Sequence, residues 1–194
     1  MSDLETRLLA ILQERSFRRG SFLLASGERS DYYIDGKMSA TFSGAASLIG
    51  EVLYERTRDL GIDAIGGLEV GAVPLVTATV IAYDRHGEEM EGFWVRDKVK
   101  SHGTKKRIEG GLRAGSRVVV VDDVFTKGGS ALKAVEAVRE HGCEVVAVIA
   151  LVDRLQGAQD LFDRNGITSY SSIFTIRDFG VEPHVCNEPH VAAG

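Results

Sequence analysis

The 194-residue sequence predicts an α/β fold: a mostly parallel central sheet flanked by helices, with a small N-terminal hood. Two observations carry the prediction. Residues 117–121 and 144–152 are continuous β-branched and aliphatic runs, the composition of strands buried on both faces of a parallel sheet. Around them, segments with apolar residues at helical spacing alternate with strand-like segments, the succession that parallel crossovers require.

The elements follow in order. Leu4, Leu8, Ile11 and Leu12 mark a helix over 4–14, with Asp3 as its expected cap. Residues 22–35 hold Ser26-Gly27 and the pair Tyr32-Tyr33 and read as short strands about a turn. Ala45, Leu48, Ile49, Val52 and Leu53 form one apolar face of a helix over 43–57, with Ser43 as its expected cap. Residues 62–65 are a strand, 66–71 a glycine-rich turn, and 74–83 a helix with Pro74 in its first turn. Residues 93–95 form a further strand. After the run at 117–121, Ala131, Leu132, Val135 and Val138 share one face of a helix over 128–141, stopped by Gly142. Gln159 to Phe162 belong to a last helix. The chain reads as one domain, 1–194, with helix and hood in about 1–40 and a tail in about 182–194.

Composition excludes several classes. Hydrophobic residues make up 44% and charged residues 26%, which argues against global disorder. The formal net charge of -5 disfavours bulk nucleic-acid binding. Cys143 and Cys186 make neither a disulfide framework nor a zinc spacing, so a reducing compartment is expected. No apolar run approaches the ~20 residues of a membrane span, and the acidic N-terminus lacks a signal-peptide pattern. The tail repeats EPHV at 182–185 and 188–191. Its histidines have acidic neighbours that could ligate a metal, but a surface tail is the plainer reading and no metal ligands are assigned.

Residues 118–130, VVVVDDVFTKGGS, carry the chemistry. A buried strand ends in Asp122 and Asp123, then runs through Val124 and Phe125 into Thr126, Lys127, Gly128, Gly129 and Ser130. That loop offers hydroxyls and open backbone N–H groups at a helix N-terminus, which suits a phosphate. The adjacent carboxylates can accept hydrogen bonds from vicinal sugar hydroxyls or stabilise positive charge on a ribose ring. The bland alternative is a strand-turn-helix whose glycines only permit the turn. The segment is neither GxxxxGK[ST] nor GxGxxG.

Residues 118–130 resemble the phosphoribosyl pyrophosphate (PRPP) motif of type I phosphoribosyltransferases. Residues 26–37 (SGERSDYYIDGK) resemble the N-terminal signature of orotate phosphoribosyltransferases. Residues 67–74 (GLEVGAVP) resemble that family's pyrophosphate-side loop. Residues 96–110 resemble its mobile catalytic loop, and Val152-Asp153-Arg154 its orotate-side Asp-Arg. The resemblance is collinear from about residue 16 to residue 160.

The resemblance implies transfer of the phosphoribosyl group from PRPP to orotate, giving orotidine 5'-monophosphate and pyrophosphate, with Mg2+ as cofactor, in the cytoplasm. It implies that Asp122 and Asp123 hold the ribose hydroxyls, that Thr126, Lys127, Gly128, Gly129 and Ser130 hold the 5'-phosphate, and that Val124 also contacts PRPP. Arg96, Lys98, Lys100 and His102 would serve PRPP from the loop. The catalytic set would be Lys100, His102, Asp122 and Asp123. Thr126, Arg154, Tyr33 and Lys37 would face orotate, the arginine through its planar fork. Taken alone, Arg154 reads equally well as a surface ion pair with Asp153. The aromatics Tyr32 and Tyr33 read equally well as hood core. The resemblance also implies a homodimer with shared sites, while the composition argues for neither a nucleic-acid nor a membrane partner. Asp97, Gly71, Ala25 and Lys127 depart from the family pattern: Gly71 replaces a lysine of other branches, and Asp97 stands where many members carry one. A PRPP-sensing regulator is disfavoured by the short acidic chain, and a purine transferase by Arg154.

Overall fold

The computed structural model describes residues 1–23, 29–98 and 106–183. The central sheet has six strands in the order β5-β4-β3-β6-β7-β8. They are β3 (Ala64–Leu68), β4 (Glu91–Val95), β5 (Ile108–Gly110), β6 (Arg117–Phe125), β7 (Glu144–Asp153) and β8 (Tyr170–Thr175). All neighbours pair in parallel except β5, which runs antiparallel to β4. The mostly parallel sheet expected from the sequence is present. β1 (Phe17–Leu23) and β2 (Arg29–Ile34) form a separate antiparallel pair near the N-terminus.

Period-two alternation along β6 divides the core. Val119 and Val121 pack with Leu8, Leu12, Ile49 and Leu75. These come from α1 (Asp3–Arg15), α3 (Ser43–Thr57) and α4 (Ala72–Arg85). Val118 and Val120 pack on the opposite face with Val135, Val138 and Phe162, supplied by α5 (Gly129–Glu140) and α6 (Ala158–Arg164). Both faces of the strand are therefore dry from Val118 to Val121, between the exposed Arg117 at its start and the Asp122–Asp123 pair near its end. Gly142, at φ +82°, ends the α5 region in the left-handed conformation expected of a helix stop.

Several local expectations are corrected. Ser2 caps α1, in a reciprocal box with Glu5, because Asp3 already lies inside the first turn. α3 has Phe42 at its cap position and no side-chain cap, since Ser43 is itself helical. The glycines at 66 and 67 are strand residues, not a turn. A Cβ on Gly66 would lie 2.5 Å from the Phe93 ring, and one on Gly67 would lie 2.1 Å from the Val121 carbonyl oxygen. Close packing requires these glycines, and the turn begins only after Leu68. β5 and β8 escape the sequence pattern because one has three residues and the other, at the sheet edge, opens on Tyr170 and two consecutive serines, which breaks any alternation. The EPHV repeats and Cys186 lie outside the described residues, apart from Glu182 and Pro183. Among the described residues, no helix is long and apolar enough to cross a membrane.

Candidate active site

Parallel sheets present ligand sites beyond the carboxyl ends of their strands. Three such ends converge here: Glu69–Gly71 after β3, Asp122 to Phe125 in β6, and Asp153-Arg154 at the end of β7. The β6–β7 register sets Phe125 beside Asp153.

The paired carboxylates stand inside the strand rather than beyond it, because β6 runs on to Phe125. Both are buried. The Asp123 N–H donates to Asp122 Oδ1 at 3.0 Å, and the Val124 N–H donates to Asp123 Oδ1 at 2.9 Å. The Lys37 ammonium donates to Asp123 Oδ2 at 2.9 Å and also lies 3.1 Å from Asp35. Two glycines make room for Asp123: a Cβ at Gly36 or Gly71 would fall within 2.8 Å or 2.5 Å of its side chain. Gly71 is therefore a backbone wall against a carboxylate, and the lysine of other branches has no space there without moving Asp123. A cavity of about 230 Å³ opens between Lys37, Glu69, Gly71, Asp122, Asp123 and Ser130. The Glu69–Val70 peptide at its rim is cis. A larger cavity, about 920 Å³, lies at the other end of the sheet among Asp63, Asp84, Glu91 and Arg113. It touches none of these groups.

Charge in this pocket is unevenly held. Burial, and then the negative charge of Asp123, push the Asp122 carboxyl well above the usual carboxylate range. Burial pulls the Lys37 ammonium down, but its bonds and charge attraction to Asp123 and Asp35 outweigh that, and it stays protonated. The folded state thus binds a proton at Asp122 that the unfolded chain releases near its ordinary carboxylate pKa. Stability attributable to this group falls as pH rises through that window. Asp122→Asn keeps the oxygen that accepts the Asp123 N–H. It is expected to raise the thermal midpoint by roughly 3 °C or more at pH 8, with the gain shrinking toward pH 4. A gain independent of pH would contradict the buried-charge account.

The loop that follows is exposed at Thr126, Lys127, Gly129 and Ser130 but buried at Gly128. Gly128 has φ +77°, and a Cβ there would meet the Phe162 ring at 2.9 Å. No side chain caps α5, so its first-turn amides are not occupied by one.

Arg154 is 5% exposed. The ion pair with Asp153 is absent: Asp153 instead accepts the Leu155 N–H at 2.7 Å. The guanidinium donates from Nε to Tyr32 Oη at 3.0 Å and from Nη2 to Ser30 Oγ at 3.4 Å. It also lies over the Tyr32 ring, 4.7 Å from the centroid. Among the described residues no carboxylate pairs with it.

The remaining expected residues divide. Tyr33 points to the exposed face of β2 and packs on Phe22, 5.6 Å between centroids, so Tyr32 rather than Tyr33 meets Arg154. Alternation along β2 puts Ser30, Tyr32 and Ile34 on the buried face. That pattern is visible in the sequence and could have found Ser30, but not its partner. Lys37 stands against Asp123 and Asp35. Arg96 is held by Glu109 at 2.9 Å, and Asp97 by Lys133 on α5 at 2.7 Å, so the departure at Asp97 ties the root of the basic segment to the sheet's flank. Lys98 is exposed. Lys100, His102 and Ala25 lie outside the described residues.

A phosphoribosyl transferase domain pattern matches residues 42–184. The orotate phosphoribosyltransferase of Bradyrhizobium sp. (strain ORS 278) is 46% identical over 177 residues, covering 89% of this chain and 95% of its own. The chain belongs to the orotate phosphoribosyltransferase family. The Streptomyces avermitilis orotate phosphoribosyltransferase is 39% identical over 94% of this chain and 100% of its own. Among solved structures, orotate phosphoribosyltransferase from Mycobacterium tuberculosis in complex with PRPP superposes with a TM-score of 0.78. It is 35% identical, with 92% of this chain and 99% of that one covered. The family membership agrees with the resemblance found in the motifs.

Proposed function

We propose that the converging strand ends hold PRPP and orotate side by side. As a member of its family the chain is a transferase of pyrimidine biosynthesis. It moves the phosphoribosyl group of PRPP to orotate, giving orotidine 5'-monophosphate and pyrophosphate. The observation that carries the arrangement is a buried guanidinium that meets no carboxylate among the described residues, just past the end of the strand that pairs with the one holding a buried carboxylate pair. Orotate supplies a carboxylate to the first, and the ribose of PRPP supplies hydroxyls to the second.

Thr126, Lys127, Gly128, Gly129 and Ser130, with the Val124 backbone, take the 5'-phosphate through hydroxyls and helix-end amides. Asp122 and Asp123 take the ribose hydroxyls, with Lys37 fixing Asp123. Arg154 and Thr126 orient orotate. The bond from ribosyl C1 to the pyrophosphate oxygen breaks with its electron pair leaving on pyrophosphate. The orotate ring nitrogen gives up its proton, which the departing pyrophosphate takes, and supplies the electron pair that closes the new C1–N bond. Positive charge builds on the ring in between, and negative charge on the departing group. Arg96, Lys98, Lys100 and His102 supply cationic groups to that departing charge. Lys100 and His102 act there as the catalytic residues of the loop.

The donor set fits Mg2+. The Asp123 carboxylate and the Asp122 carboxyl offer hard oxygens but too few to enclose an ion, which suits one that keeps water and substrate oxygens. When bound, Mg2+ would be held by Asp122 and Asp123 through the substrate and would neutralise pyrophosphate charge. We further propose a cytoplasmic homodimer in which the basic segment of each chain serves the other's site. An absorbance assay of orotate consumption with PRPP tests the whole reading. Orotate is expected to disappear with Mg2+ and not with a chelator, while hypoxanthine and uracil are spared. Persistence of orotate under every metal condition would refute it.

A further inference from the structure

We propose that Tyr32, with Ser30, is a positioning residue that turns Arg154 so that a ligand carboxylate is taken end-on, through Nη1 and Nη2. The inference rests on Arg154 receiving the orotate carboxylate.

A guanidinium is a planar fork with two edges able to grip a carboxylate. The side edge consists of Nε–H and the Nη2 hydrogen beside it. The end edge consists of the remaining Nη2 hydrogen and Nη1. In this protein the side edge is already engaged: Tyr32 Oη accepts from Nε at 3.0 Å, and Ser30 Oγ faces Nη2 at 3.4 Å. Ser30 gives its own hydroxyl hydrogen to the Tyr32 carbonyl at 2.7 Å and accepts from the Tyr32 N–H at 3.4 Å, so its oxygen meets Arg154 as an acceptor. The Tyr32 ring closes one face of the guanidinium. Below, the Arg154 N–H is fixed to the Phe125 carbonyl at 2.9 Å. Leu155 is held at φ 56° by the Asp153 carboxylate bond. Backbone, ring and two hydroxyls define one orientation, and among the described residues no partner meets Nη1 at the end edge.

Tyr32 is fully buried, so its ring packs whether or not its hydroxyl matters. Tyr32→Phe separates the two roles. It is expected to raise KM for orotate about tenfold through the lost charged hydrogen bond, leave KM for PRPP unchanged, and narrow the preference for orotate over uracil. Ser30→Ala, which leaves the aromatic packing intact, should shift the same constants in the same direction by less. It carries the test if Tyr32→Phe fails to fold by circular dichroism. Arg154→Ala runs alongside. If it leaves KM for orotate unchanged, the carboxylate assignment itself is wrong. If it raises that KM while Tyr32→Phe and Ser30→Ala do not, only the positioning role is overturned.

Discussion

Arg154→Ala is expected to lower kcat/KM for orotate about a hundredfold or more, by analogy with truncating one partner of a buried, hydrogen-bonded charge pair. The loss should be confined to orotate: KM for PRPP should stay within about twofold, because Asp122–Asp123 lie on β6 and the phosphate loop follows it, whereas Arg154 follows β7. Arg154→Lys should rescue little. An ammonium retains the charge but loses the planar fork, and it cannot meet Tyr32, Ser30 and a carboxylate together. Steady-state kinetics with each substrate varied in turn would decide. Equal rises in both KM values would place Arg154 in general scaffolding instead.

Gly67→Ala is expected to destabilise the fold by about 3 kcal/mol, the upper range for overpacking. The corresponding fall in thermal midpoint is roughly 6–12 °C for a chain of this size. Gly67→Val should not fold. The added Cβ would sit 2.1 Å from the Val121 carbonyl oxygen and 2.6 Å from the Ala72 Cβ. The first is strand backbone and the second begins α4, so neither can rotate aside. Gly129→Ala is the matched control for stability, since a Cβ there meets nothing within 4 Å. Thermal unfolding of the variants is sufficient. A Gly67→Ala midpoint close to wild type would mean that β3 and β6 can part at this point. The same close approach brings the Glu69–Gly71 turn against Asp123, so Gly67 shapes the site without entering it.

Much of the site was legible because its chemistry is contiguous. Residues 118–130 place strand, carboxylates, phosphate loop and helix start within one segment, and local pattern is enough to read them. Arg154 was legible only by family resemblance: beside Asp153, its local reading is a surface ion pair. Burial reverses that reading, because the nearest acid spends its oxygen on the Leu155 N–H. The choice between Tyr32 and Tyr33 was equally undetermined. Both are aromatic, and alternation assigns them to opposite faces without naming what each face meets.

The sequence by itself determined the β-α succession, the two-sided core around Val118 to Val121, and the order of carboxylates and phosphate loop. These follow from periodicity and turn chemistry, which act over a few residues. Tertiary structure alone decided which groups face each other. Tyr32 and Arg154 are 122 positions apart, and Lys37 and Asp123 are 86 apart. Such partners are chosen by how the hood, β6 and β7 pack, and no local preference encodes the distance between them. The same holds for Gly67, whose lack of a side chain looks like turn freedom in the sequence. In the folded chain it is the clearance that lets two strands approach.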